Sequence, residues 1–222
     1  MFRDAWAVFV KDLRIEAASR VGLWQVLPFA AIALLLFAFA LGPSHRVLAS
    51  GAAGVTWVGV VFATFLIVGR SQSIEAGAGI AESQRLAGVD PAGVFLGKAG
   101  AVAVQLLAVE GLLGVGARLL LDFHCARWWL VVVASLLATI GLSAAGTLYG
   151  ALVGATRARE TLLPMLVLPV LVPVLIAVVR LWQASGVAEG QGLAGWLSIL
   201  GTFAVIYTAA GILFYGQVQE HS

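Results

Sequence analysis

Six apolar stretches, each about as long as a membrane-crossing helix, succeed one another along the chain and leave little sequence for anything else. They cover Leu23–Leu41, Gly51–Val68, Val94–Gly116, Trp128–Val153, Leu162–Val179 and Leu193–Gly216. An α-helix rises ~1.5 Å per residue, so about 20 apolar residues cross a hydrocarbon layer roughly 30 Å thick. Glycine, proline or charged clusters separate the stretches, as Gly42-Pro43 does after the first. Of the 222 residues, 61% are hydrophobic and 11% charged, whereas a soluble domain carries about 25% charged residues. A surface folded in water needs more polar cover than this. The expected fold is an all-α integral membrane protein, with one transmembrane domain over residues 1–222.

Lysine and arginine placement suggests an orientation. With the N-terminus inside, nine basic residues fall on the cytoplasmic side: Arg3, Lys11, Arg14, Arg20, Arg70, Arg85, Lys98, Arg157 and Arg159. Four fall outside: Arg46, Arg118, Arg127 and Arg180. Both termini are therefore expected in the cytoplasm, with Trp128, Trp129, Trp182 and Trp196 near the outer interface. A net charge of +2 gives no reason to expect nucleic acid. The single cysteine, Cys125, excludes an intrachain disulfide and a cysteine metal cluster. Residues 1–20 carry seven charges before the first apolar run, which does not fit a cleavable signal.

Two polar segments stand out. In residues 1–20, Phe2, Trp6, Phe9, Val10, Leu13 and Ala17 share one helical face, with Arg3, Lys11 and Arg14 on another. Such a helix should lie in the membrane surface, the alternative being an ordinary juxtamembrane tail. The stretch Arg70–Asp90, with Glu75, Gly77, Gly79, Glu82 and Arg85, is too polar for the bilayer and too long for a tight turn. It is either a docking surface for a soluble partner or a solvated connection.

Within the spans, Glu110 lies near the middle of the third, with Gln105 about a turn and a half earlier. An ionisable group at that depth is costly unless paired. It marks either a polar point on a path or partner contact, or a hydrogen bond between helices. The fifth span holds Pro164, Pro169 and Pro173, each removing a backbone donor and crowding the preceding turn. A hinge or a distorted pathway helix is one reading, a static kink the other. Gly146, Gly150 and Gly154 would allow close packing of the fourth span within the subunit, or dimerisation.

No catalytic constellation survives inspection. Gly141-Leu142-Ser143-Ala144 resembles the nucleophile motif of rhomboid proteases, yet no span contains a histidine to serve as base. Gly97-Lys98 is like the end of a phosphate loop, but Ala92 stands where its first glycine belongs and Ala99 where serine or threonine belongs. His45 and His124 fall in expected outer loops, either solvated or available to haem iron. No metal site is expected otherwise.

Three stretches carry a resemblance: Lys11-Asp12-Leu13-Arg14-Ile15-Glu16 with Arg20, the pattern Glu75-x3-Gly79-x2-Glu82, and the proline-bearing run from Leu166 to Ile176. With the six spans and the length, they resemble the ABC-2 group of exporter membrane subunits, and within it the CcmB (haem exporter protein B) family of cytochrome c maturation. Gly88 stands in a part of the loop that is proline-rich in that family. The resemblance implies a permease in the bacterial inner (plasma) membrane, present as two copies. It would pair with a CcmA-like ATPase, CcmC-like and CcmD-like membrane proteins and a CcmE-like haem chaperone. It implies a connecting helix at Arg3–Arg20 and an ATPase-coupling helix around Glu75, Gly79, Glu82 and Arg85. Glu110, Pro164, Pro169 and Pro173 remain the pathway or hinge candidates. Haem would be a substrate rather than a resident cofactor. Export of a lipid-linked or glycan molecule by the same fold is the alternative.

Overall fold

The chain was analysed as a computed structural model, which describes residues 1–19, 22–42, 44–78, 88–154, 159–186 and 192–220. All regular structure among these residues is helical: α1 (Phe2–Ser19), α2 (Gly22–Leu41), α3 (His45–Ala78), α4 (Pro91–Leu120), α5 (Trp128–Gly154), α6 (Arg159–Ser185) and α7 (Leu193–Glu220). Five of them hold stretches long and apolar enough to cross a membrane: His45–Glu75, Pro91–Leu120, Trp128–Val153, Leu162–Ser185 and Leu193–Val218. In α2 the apolar stretch Val26–Leu41 is shorter. The bundle wears large apolar side chains outward, including Phe39, Leu119, Met165 and Leu213, as a protein solvated by lipid does.

The helix ends follow local chemistry. Gly42, at φ +75, closes α2 with its N–H on Phe39 O, a left-handed cap that costs glycine nothing. Asp90-Pro91 opens α4, the extended Asp90 preceding a proline whose missing donor would be unpaired at N1 anyway. The stretch expected as a polar connection from Arg70 begins inside α3, which continues as helix to Ala78.

Two helices organise the bundle. α4 touches α1, α2, α3, α5 and α7, and α5 packs on α3, α4, α6 and α7. Small residues let the axes come close. Gly146 and Gly150 of α5 receive Val68 of α3, so these two glycines serve packing within the subunit. α6 buries Leu163, Val167, Leu171, Val174, Val178 and Leu181 and turns Pro169 and Pro173 outward. It is helical throughout despite its three prolines. Trp182, near the end of α6, is buried against its neighbours, its Nε1–H donating to Ser135 Oγ at 3.2 Å and its ring between Trp57 and Phe123.

Helices α1 and α4 approach each other closely through their backbones. A Cβ on Gly97 would stand 2.5 Å from Ala5 O and 2.8 Å from Val8 Cβ, and one on Gly93 2.8 Å from Met1 O. The obstacle is backbone, which cannot swing aside. α1 therefore lies on the first turns of α4, with Val8 buried between them and Phe2 and Trp6 left exposed. Gly97→Val should displace α1, costing about 1–3 kcal/mol of overpacking. Trypsin should then cut faster after Lys11 and Arg14 in the detergent-solubilised protein, while the helical circular dichroism of the bundle persists.

Candidate functional site

Beneath α1 the bundle buries a charge. Lys98 follows the glycine that admits the α1 backbone, and its side chain is 1% exposed. An ammonium out of water costs several kcal/mol unless anions and acceptors replace the solvent. Three groups do so here. Glu75 Oε1, near the end of α3, is 2.6 Å from Lys98 Nζ. Asp12 Oδ2 of α1 is 3.7 Å away. Ser71 Oγ of α3 accepts a hydrogen bond from Lys98 Nζ at 3.3 Å. Around this centre, Lys11 Nζ contacts Asp12 Oδ1 at 2.9 Å and Glu75 Oε1 at 4.0 Å, and Arg70 Nε donates to Glu16 Oε2 at 3.4 Å. Lys11, Lys98 and Arg70 balance Asp12, Glu16 and Glu75. Among the described residues the formal charges balance, and the junction joins α1, α3 and α4.

Of the residues expected to couple an ATPase, Glu75 is in this junction. Gly79, Glu82 and Arg85 lie outside the described residues, in the segment into which α3 leads. Gln105 lines the same small cleft as Lys98 and Glu75. Glu110 lies about 18 Å farther along α4 by helix rise, apart from the junction. It is buried and accepts a hydrogen bond from Thr139 Oγ1 of α5. Ser143 is buried too, its hydroxyl donating to Ile140 O.

A lateral cavity of about 700 Å³ opens among α2, α3, α5 and α6. Phe29, Phe62, Leu66 and Leu168 make its walls apolar, and Pro164 adds to them. Arg70, Gln72 and Ser73 make one end polar. Such a space suits a flat or chain-like apolar molecule. Pro169 and Pro173 do not line it.

Comparison with known proteins adds a family. The sequence matches the CcmB protein family over residues 3–214. The chain belongs to the CcmB family. Curated relatives include the "Heme exporter protein B" of Haemophilus influenzae, 30% identical over 89% of both chains. That of Rhodobacter capsulatus is 30% identical over 87% of this chain and 88% of the relative. That of Paracoccus denitrificans is 33% identical over 91% of both. The match and the apolar helices together make this CcmB chain a multi-pass membrane protein.

The family match begins within α1 and ends within α7, so it takes in every helix of the CcmB junction. Sequence reasoning missed Lys98, Asp12 and Arg70 as one group. Lys98 was weighed as the end of a phosphate loop and as one of the cytoplasmic basic residues. The overlooked sign was its place in a stripe of glycines, Gly93, Gly97 and Gly100, at helical spacing. A lysine beside so close a helix contact has no route to water.

Lys98→Met should leave buried Glu75 with only Lys11, 4.0 Å away, as a cation, at a cost of up to about 3–5 kcal/mol. Glu75→Gln in the same chain should recover part of that loss. Thermal unfolding in detergent, followed as a double-mutant cycle, measures the coupling. In the span, Thr139→Val should cost about 1–3 kcal/mol by leaving Glu110 without its donor, read in the same melts.

Proposed function

We propose that this CcmB-family chain is the membrane subunit of an ABC transporter complex in cytochrome c biogenesis. In this reading a separate CcmA-like ATPase hydrolyses ATP. The chain couples that hydrolysis to haem export or to release of a haem-loaded CcmE-like chaperone. Its other partners are CcmC-like and CcmD-like membrane proteins and a second copy of itself. It sits in the bacterial inner membrane with both termini cytoplasmic. Its relatives' names supply the haem system, and no nucleotide motif in the chain offers an energy source of its own.

One observation carries the coupling: the ion pair of Glu75 with buried Lys98. Glu75 stands three residues before the end of α3, which leads into the segment bearing Gly79, Glu82 and Arg85. When the ATPase dimer closes on ATP, it moves this segment. A salt bridge in a site of low dielectric resists separation, so α4 and α1 follow α3. ATP acts only through its different affinity for the two arrangements. The exposed Phe2 and Trp6 hold α1 at the membrane surface, where its motion is confined to the interface. The lateral cavity, with its apolar walls, supports a route for haem, a planar and largely apolar molecule. Pro164 on its wall makes α6 the yielding side.

A lipid-linked export substrate would also suit an apolar cavity, and co-purifying partners separate the two readings. Replacing Glu82 and Arg85 together by alanine should leave the chain in the membrane while cytochrome c maturation falls at least tenfold and ATP hydrolysis persists. Normal maturation in that variant would refute the coupling role.

A further inference from the structure

The cavity among α2, α3, α5 and α6 is a slot that runs along the helices. Its α3 wall extends from Val58 to Ser73, about 22 Å at the rise of a helix. Its α6 wall extends from Leu163 to Leu175, about 18 Å. Phe29, Phe62, Leu66 and Leu168 line it and are exposed, whereas Val61, Val153 and Leu163 line it and are buried. The first group is the rim and the second the floor, so the slot opens sideways through the surface that faces lipid. Gly69 helps to make the room. A Cβ there would meet nothing within 4 Å, whereas Cβ atoms on Gly146 and Gly150 would collide with Val68.

The two ends differ. Arg70, Gln72 and Ser73 gather at one, and the rest of the lining is apolar. Arg70 Nε donates to Glu16 Oε2 of α1 at 3.4 Å, so the polar end is at the depth of α1. A helix that exposes Phe2 and Trp6 beside charged residues belongs at the membrane surface. On that placement the polar end is level with lipid head groups, and the apolar length lies within the hydrocarbon. One leaflet of a hydrocarbon core ~30 Å thick is about 15 Å deep. A tail that enters at the polar end and runs the depth of its leaflet fits inside the slot.

The polar groups at the mouth are already engaged. Arg70 is paired with Glu16, and Ser73 Oγ donates to Gly69 O at 2.9 Å. They can border neutral ester oxygens, but they are not arranged to clamp a phosphate. An apolar space that opens to lipid does not stay empty, because its lining would forfeit dispersion contacts. We propose that the slot is a binding site for one acyl tail of a bilayer phospholipid from the leaflet on the α1 side, with its ester end at Gln72 and Ser73. The site selects the tail and is indifferent to the charge of the head group. Any cargo that takes the cavity as its route displaces this tail. The inference stands without the haem reading, because it needs only the slot and the surrounding lipid.

The test uses the full chain in phosphatidylcholine vesicles that contain a phosphatidylcholine with a photoreactive diazirine in one tail. After irradiation, adducts are mapped by mass spectrometry. They should appear on the floor residues Val61, Val153 and Leu163, which lipid around the bundle cannot reach, as well as on outward side chains such as Leu119 and Leu213. The chain purified from cell membranes in mild detergent should also carry one phospholipid in native mass spectrometry. Gly69→Phe fills the slot and should lower floor adducts and retained phospholipid about tenfold. Gly111→Phe makes the same change at an exposed glycine of α4 that does not line the slot, and should lower neither. Replacing phosphatidylcholine by phosphatidylglycerol should leave the floor adducts unchanged. Wild-type adducts confined to outward side chains would overturn the site, whatever the folding of the variants. Floor adducts undiminished in folded Gly69→Phe, or an isoprenoid lipid retained in place of phospholipid, would do the same. Neither readout involves cytochrome c maturation, so failure of the lipid site and failure of the subunit role are told apart.

Discussion

The structure hangs on an ammonium group that has no water. Lys98 can be ionised where it stands only because Glu75 comes from α3 and Asp12 from α1 to meet it. That requirement sets where α1 lies, because Asp12 reaches Lys98 only if the α1 backbone rests on Gly93 and Gly97. It also ties the last turns of α3 to the first turns of α4. Dispersion alone holds apolar helices together in lipid without specifying their register, since lipid tails solvate a leucine as well as another leucine does. A buried, charge-balanced junction supplies the register that apolar packing lacks.

The bundle is built differently at its two ends. Near α1, ions face one another across three helices. At the opposite end the loop from Leu121 to Arg127 is stitched to the end of α6 by backbone hydrogen bonds, with the Trp57, Phe123 and Trp182 rings beneath it. Between the ends, polar groups are few and mostly locally paired, as Thr56 and Thr64 are with carbonyls one turn back. Glu110 and Thr139 make a polar link between α4 and α5, as Trp182 and Ser135 do between α6 and α5.

α6 shows how a composition cue and a structural role can part. Three prolines within ten residues suggested a hinge or a distorted helix lining a pathway or the subunit interface, or else a static kink. The inward face is Leu163, Val167, Leu171, Val174 and Val178, and Pro169 and Pro173 face outward. Outside, a proline's ring displaces no packed neighbour. Only Pro164 borders the lateral cavity, at its polar end. Which face a proline takes depends on the phase of the neighbouring apolar residues, and that phase is hard to read where nearly every residue of a span is apolar.

Much of the architecture was legible because it follows from solvation alone. Runs of about 20 apolar residues must be helices in lipid whatever their neighbours are, and Gly42 and Asp90-Pro91 mark helix ends by local backbone chemistry. Glu75 was legible as a polar residue beside a span, and His45 and His124 as loop histidines. What pairs with them was not. Asp12, Glu75 and Lys98 lie on three helices, and His45 meets Asp122 across 77 positions. No periodicity within one helix encodes such a meeting. The amino-acid sequence by itself determined that the chain folds as helices in a membrane. Only the tertiary structure decided which charges neutralise one another and which glycines admit a neighbour, because pairing energy depends on distance and dielectric in three dimensions.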